Sequence, residues 1–535
     1  MSGKVITIVG SGASSVSLID ALLENLCLKN NIAPDLTIFL IDKRPQFGRG
    51  LAYADDTSTS LLNTRASFIS PFSDKPGHFY NWLLQNKSIW EDDFPDVVLS
   101  PEAFLPRSLF GNYLTHMVQS LSKKAVEIGC RVITINDEAY RITFAHDGKV
   151  VVSTRANLSF PSDHVVLSCG NGESIEYKIF ENTPGFFSSP YPIKRTTRVI
   201  PKDARVAIIG SRLSAIDMAI GLKSGGHTGP ITFHSRTGSL PGVRGIQGRY
   251  KPKYLTPQLV QEHIHNHGKL SLNELLDWTM KELAAAGQTG VPTIEELTKT
   301  CRQPAPLQYL EHEINSARIA RPWQAVLYAT NSIMDLIWPA MPMEDKLRFW
   351  PYMSWWLSHR VSIPIENAQK IYSLLKSGEL NIVAGDLTLE ALPNSGFCIR
   401  VTDNGNIQEH EYDTLVVATG TPRDPSLLDN ELVQNMLAQG TAIADPFGGV
   451  QVSADRGSLR GSSGRFDDRI TVLGELTSGT YFFTSALEIN ARHAANRATI
   501  IIERLGGAGK LLIEAPSHHT QGMLTKNFGL DAFAT

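Results

Sequence analysis

The strongest constraint on this chain stands at its start. The apolar run Val5 to Val9 (VITIV) ends on Gly10-Ser11-Gly12, and a helical stretch from Ala13 to about Leu26 follows. A short unbroken apolar run reads as a parallel strand buried on both faces. Leu36 to Ile41 (LTIFLI) supplies the second strand, so the chain opens as a β-α-β unit. In that setting Gly10 permits a tight turn and Gly12 lets the backbone approach a pyrophosphate, whose oxygens meet free N–H groups of Ala13 and Ser14 at the helix start. Ser15 stands where the third glycine of the fingerprint belongs, so the helix must tolerate a hydroxymethyl group against the strand. Asp42 ends the second strand, with Lys43 beside it, where a carboxylate accepts hydrogen bonds from a ribose diol. It lies beyond the usual distance of about twenty residues, because Asn30 to Asp35 adds a loop.

The pattern restarts at Arg205. Arg205 to Ile209 (RVAII) runs into Gly210-Ser211-Arg212-Leu213-Ser214-Ala215, a helix from Ser214 to Lys223 and a strand from Ile231 to His234. Arg212 replaces the second glycine. Either its side chain turns outward or pairs with a phosphate, or the unit no longer binds a nucleotide tightly. Ser235 and Arg236 follow the strand where an acid would select NAD, and an arginine there accommodates the 2′-phosphate of NADP. Between about Thr256 and Leu375 long helical segments replace strands, and Trp323, Trp338, Trp350, Trp355 and Trp356 concentrate there. They read as the core of a helical insertion. Further strands are expected at Asp163 to Ser168, before Cys169-Gly170-Asn171, at Leu380 to Ala384, at Thr414 to Val417, before Ala418-Thr419-Gly420, and at Ile470 to Leu473, before Gly474-Glu475. A helix from about Ser485 to Leu505 follows, and the tail after about Ala515 carries little pattern.

Other function classes are disfavoured. A net charge of -3 shows none of the basic excess of a nucleic-acid binder. No apolar run reaches bilayer length and no signal-peptide layout precedes the first strand, so a cytoplasmic protein without a membrane partner is expected. Cys27, Cys130, Cys169, Cys301 and Cys398 are scattered and form no C-x-x-C, which fits reduced thiols. His263, His265 and His267 invite a metal reading, but only His263 and His267 share a helix face and no carboxylate trio joins them, so no metal is expected.

The segments GSGASS, IDKRPQFGRGLAY, LLNTRASFISPF, LPRSLFGNYL, FHSRTGSLP and LGELTSGTYFFTSALEINARHAA together resemble the bacterial FAD-NAD(P)-binding protein family, itself distantly similar to N-hydroxylating, class B flavin monooxygenases. The resemblance runs from Lys4 to about Ala495. It implies an α/β fold of two dinucleotide-binding, Rossmann-like domains with a helical insertion. Residues 1–200 and 413–535 would form the FAD domain, 201–250 and 376–412 the nicotinamide domain, and 251–375 the insertion. It further implies that Gly10, Gly12, Asp42, Gly50, Leu51 and Tyr53 contact FAD and that Asn63 lies near the flavin ring. Gly170 and Gly420 would end strands beneath the nucleotides, and Gly474-Glu475 would meet the ribityl or pyrophosphate part. Gly48-Arg49-Gly50, read from its residues, suits a loop lying against a phosphate or adenosine, or else a solvent loop with a surface arginine. Arg360 and Arg321 are candidates for binding a substrate carboxylate. The expected activity is an FAD-dependent, NADPH-using oxidoreductase, a monooxygenase acting with molecular oxygen on a nitrogen or sulfur of a small molecule. A flavin oxidase or dehydrogenase with a vestigial nicotinamide site, and a non-catalytic flavin-binding partner protein, stay open, and nothing sets an oligomeric state.

Overall fold

The computed structural model describes residues 3–28, 35–288, 305–393, 395–403 and 405–506. Residues 30–34 of the expected loop, Cys301 and the tail beyond Ala515 lie outside them. The strands β1 (Lys4–Val9) and β2 (Leu36–Asp42) pair in parallel, as their apolar runs suggest, and β3 (Arg131–Asn136), a largely exposed edge strand that no apolar run signals, pairs in parallel with β2. After β3 comes an antiparallel meander, β4 (Ala139–Phe144), β5 (Val150–Thr154) and β6 (Ser159–Ser162), and then β7 (His164–Leu167), which returns to pair with β1.

The same order recurs. β8 (Phe186–Phe187) precedes β9 (Val206–Ile209), β10 (Ile231–Ser235) and β11 (Leu380–Ala384), which are followed by the meander β12 (Asp386–Ala391), β13 (Phe397–Asp403) and β14 (Asn406–Tyr412). β15 (Thr414–Val417) then pairs with β9 as β7 pairs with β1. The second sheet runs β11-β10-β9-β15-β8. The first runs β16-β17-β7-β1-β2-β3, with β16 (Ser458–Arg460) and β17 (Phe466–Val472) added by the C-terminal part. Each sheet reverses direction beside its first strand, which opens a crevice outside the carboxyl ends of the strands. The expected boundary at residue 413 needs correcting, since β15 belongs to the second sheet and the chain rejoins the first only with β16. The meander β12 to β14 delays the unit's fourth strand, which its short apolar run alone does not assign to either sheet.

In each unit the connection from the second strand to the third is long. In the first it holds the helices His78–Gln85 and Arg107–Glu127. In the second it holds the helical insertion, whose helix Leu272–Ala285 starts with a capping box of Ser271 and Glu274. Trp338 and Trp356 stand in its core and Trp350 and Trp355 pack against it, while Trp323 lies outside that cluster. Trp338 is 2% exposed, donates its indole N–H to Gly479 O at 2.9 Å and packs on Phe482 at 4.6 Å between ring centres. Phe447, Phe482 and Phe483 of the C-terminal part join the same cluster, and helix Leu487–Arg504 returns to pack on helix Ala13–Leu28. Among the described residues no helix is long and apolar enough to cross a membrane.

Candidate functional site

Both glycine turns sit at the switch points. Gly10 has φ +97°, and a Cβ there would stand 2.3 Å from Ser168 O, so the turn closes against the end of β7 only with glycine. Gly210 repeats this in the second unit, with φ +122° and a Cβ that would lie 2.6 Å from Ala418 O. Ser15, at the third position, is fully buried and donates its hydroxyl to Gly10 O at 2.6 Å, so the extra atom closes the turn instead of obstructing it. Gly12 and Gly50 face one another. A Cβ on Gly50 would reach 3.1 Å from Gly12 Cα, so side chains are excluded from the gap where a pyrophosphate would pass. Gly474 adjoins Ser14, and a Cβ on Gly170 would meet Leu476 N at 2.6 Å. These residues fit an adenine dinucleotide cradle.

Asp42 does more than face a ribose. Its Oδ2 accepts from Ser11 N at 2.8 Å and Ser11 Oγ at 2.9 Å, while Oδ1 accepts from Arg44 N at 2.9 Å. The carboxylate therefore shapes the glycine turn, with acceptor capacity left on Oδ1. Lys43 points to Glu138, 2.8 Å away at the surface. Arg49 donates to Asn112 and Thr115 on helix Arg107–Glu127. Gly48 and Gly111 let the loop lie directly on that helix, so Arg49 is held there instead of hanging in solvent. Glu475 is half-buried beside Thr484, which donates at 3.1 Å, and desolvation pushes its carboxyl above the usual range against the pull of Arg423.

In the second unit Arg212 does not hang in solvent. Its Nη2 donates to Ser354 O and Ser354 Oγ, both at 2.7 Å, and to Ser358 Oγ at 3.2 Å, which ties the glycine turn to helix Met353–Arg360 of the insertion. Burial lowers its pKa, and Arg236 and Arg423 add to that. Ser235 Oγ accepts from Gly238 N and pairs with Ser211 Oγ, which binds the loop after β10 to the turn. Arg236 itself is exposed. Gly420 has φ +77° and open space around its Cα, beside a smaller cavity of about 190 Å³ lined by Leu51, Ser214 and Thr421.

The two long connections fold toward each other above the crevices and enclose a cavity of about 830 Å³. Tyr53, Asn63 and Arg65 come from the first unit, Ser214, Arg244, Tyr328 and Arg360 from the second, and Phe483 and Glu488 from the C-terminal part. Asn63 and Arg360, far apart in sequence, thus share one wall. Arg360 is 6% exposed and lies over the rings of Tyr328 and Phe483, at 4.7 and 5.0 Å. Its Nη2 donates to Asn331, its Nε has no partner, and burial pulls its pKa down to about 10. Arg321, the other carboxylate candidate, is instead consumed by Glu313, Val243 O and Ser316, so it is a buried brace and not a substrate residue. The sequence reading missed Arg244, whose Nη2 donates to Asn63 O at 2.8 Å and whose guanidinium lies 3.8 Å from the Tyr328 ring. It also missed the pin between units, in which Arg107 donates to Tyr191 and pairs with Asp217 at 3.0 Å. No spacing signals either one, although Arg107 stands within the LPRSLFGNYL segment. His263 stacks on His267 and lies 3.3 Å from Glu274, and among the described residues no cluster of metal-ligating side chains forms.

Residues 7–172 match the model of an FAD-NAD(P)-binding family. An uncharacterised protein of Mycobacterium tuberculosis is 24% identical over 281 residues, 44% of this chain, and the chain spans about half the length (52%) of that relative. Among solved structures, an ornithine hydroxylase from Pseudomonas aeruginosa superposes with a TM-score of 0.54 at 14% identity, covering 94% of this chain and 100% of the other. An L-lysine 6-monooxygenase from Pseudomonas syringae gives 0.55 at 15% identity, covering 94% and 99%. A cadaverine monooxygenase from Erwinia amylovora, bound to FAD, gives 0.54 at 12% identity and covers 99% of both chains. The fold is therefore that of flavoproteins with two dinucleotide-binding domains.

Proposed function

We propose that this chain is an FAD-dependent, NADPH-using monooxygenase of the cytoplasm that transfers one atom of molecular oxygen to a nitrogen, or a sulfur, of a small molecule. The observation that carries the reading is the cavity enclosed between the two dinucleotide units. It is bounded by residues of the first crevice (Tyr53, Asn63), the second (Leu213, Ser214) and the insertion (Tyr328, Arg360). Two cofactors and a substrate meet only at such a place. The likeness in fold to solved ornithine, lysine and cadaverine hydroxylases supports the same reaction class.

Gly10, Ser11, Gly12, Ala13, Ser14, Gly50 and Gly474 hold the FAD pyrophosphate, Asp42 fixes their turn, and Leu51, Tyr53 and Asn63 border the flavin. Gly170 and Glu475 close the floor of that crevice. Gly210, Ser214, Ser235, Gly420 and Arg236 receive NADPH, with Arg236 beside the 2′-phosphate. When bound, FAD would supply the redox chemistry between NADPH and oxygen. The protein orients the substrate and keeps water out, which prevents loss of the oxidant as peroxide. No side-chain nucleophile is needed, and the cavity wall offers none of the Cys or Ser–His kind. The test is reduction of the FAD-loaded protein under anaerobic conditions by NADPH and by NADH, followed by admission of oxygen. Fast bleaching by NADPH, slower bleaching by NADH, and oxygen uptake in excess of peroxide release when substrate is present are expected. A flavin that NADPH leaves oxidised would overturn the proposal.

A further inference from the structure

We infer that the cavity selects an acidic amine, a small molecule carrying two carboxylates beside its amino group, of which L-aspartate and L-glutamate are the simplest. This rests on the reading of the site as an amine-oxidising one and adds its substrate class.

The charge of the wall decides the class. Six cations, Arg65, Arg107, Arg244, Arg249, Lys251 and Arg360, line the cavity against one carboxylate, Glu488. Arg65 is answered by Glu102 at 2.8 Å and Arg107 by Asp217 at 3.0 Å. The other four have no ion pair among the described residues. A basic amino acid or a diamine would bring further positive charge into this field, whereas an amine with two carboxylates lowers it.

Two of the four are built as a clamp. Arg244 and Arg360 both lie over the ring of Tyr328, at 3.8 and 4.7 Å from its centre, and each leaves its Nε without a partner. Burial lowers the pKa of both, with Arg244 depressing Arg360 further and Arg65 depressing Arg244. Two like charges held together with little solvent are unfavourable unless an anion joins them, and a carboxylate matches a guanidinium fork edge to edge. Asn331 places the remaining polarity. Its Oδ1 accepts from Arg360 and its Nδ2 donates to Glu488 Oε2 at 3.5 Å, so the clamp and the one acid lie side by side. One carboxylate at Arg244 and Arg360 and the amine toward Glu488 answer the buried part of the wall, which leaves the exposed Arg249 and Lys251 for a second carboxylate.

The phosphates of NADPH are anions too, so the test separates the two sources. FAD-loaded protein without NADPH is titrated calorimetrically with L-aspartate, L-glutamate, L-ornithine, L-lysine, cadaverine and 2′,5′-ADP. The acidic amino acids should bind about ten- to a hundredfold more tightly than the basic ones, the range of one charge-assisted contact. Arg360→Met and Arg244→Met should each lose that advantage while keeping the flavin absorbance that reports a folded protein, and Arg360→Lys should recover part of it. Affinity for 2′,5′-ADP should not move. Tighter binding of the basic amino acids, absence of heat with both acids, or variants that weaken 2′,5′-ADP as much as the acids would each overturn the inference. Oxygen uptake stimulated by ornithine or lysine alone would sink the clamp and leave the monooxygenase standing. Acid binding with no oxygen uptake would do the reverse.

Discussion

Replacing Arg212 separates a structural pin from a cofactor contact. One Nη2 group has two hydrogens, and both are directed at Ser354, at 2.7 Å, with Ser358 sharing at 3.2 Å. Hydrogen bonds from a charged donor contribute about 1.5–3 kcal/mol. The lower end applies here, because burial and the nearby Arg236 and Arg423 already disfavour the charged form. Arg212→Ala should therefore loosen the docking of helix Met353–Arg360 by about 1.5–2 kcal/mol, a factor of roughly 10–30 in its local opening equilibrium. Hydrogen–deuterium exchange of the amides of residues 353–360 measures this directly, since local opening sets their protection. Arg212→Gly should behave the same way, and restoring the glycine should not speed flavin reduction. The reasoning fails if exchange across that helix is unchanged while the NADPH Michaelis constant rises in Arg212→Ala and recovers in Arg212→Gly. That pattern would mean that the guanidinium serves the pyrophosphate.

Two further outcomes follow from the geometry. Gly50→Ala, at φ +58° and with a Cβ 3.1 Å from Gly12 Cα, should leave the chain folded but cut FAD affinity about tenfold or more, since αL strain alone costs about 1–2 kcal/mol; unchanged fluorescence quenching in an FAD titration would contradict it. Burial holds His164 down at about 3 and His234 at about 4, the latter aided by His410, so below the ordinary histidine value the unfolded chain binds protons that the native state refuses. Stability should be full above about pH 6.5 and fall by about 1.4 kcal/mol per pH unit for each histidine as pH drops toward 4, which a Tm profile flattened by His164→Gln would report and an identical profile in wild type and variant would refute.

What was legible in the sequence is what the backbone itself demands. Gly10 and Gly210 are recognisable because a turn at positive φ, pressed against Ser168 O and Ala418 O, admits nothing else. The strands read correctly because residues buried on both faces leave unbroken apolar runs, as in β1 and β9, whose last residues are all buried. Side-chain partnerships were not legible. Arg212 finds Ser354 at a separation of 142 residues, and Arg244 finds Asn63 at 181. No local period carries such pairs. Arg321 and Arg360 show the consequence: both are buried arginines near aromatic rings in the same insertion, yet one is neutralised by Glu313 and the other meets no carboxylate. Only the folded insertion distinguishes them.

The repetition of topology explains why the cavity lies where it does. Both units place a three-stranded meander between their third and fourth sheet strands, and both place their long connection between the second and third. A second-to-third connection in a doubly wound unit leaves from the carboxyl edge of the sheet, the edge that also carries the ligand crevice. Two such connections, growing from two crevices that face each other, have only the space between them to fill. Packing alone would close that space, and the insertion has enough aromatic side chains to do so, as the cluster of Trp338, Trp356, Phe447 and Phe482 demonstrates. Instead the wall toward the crevices carries Arg244, Arg249, Lys251 and Arg360. Charged side chains left without carboxylates beside an available apolar core are costly to fold around. Of these, the buried Arg360 and half-buried Arg244 carry that cost, and they fit the ligand-binding role proposed for the insertion.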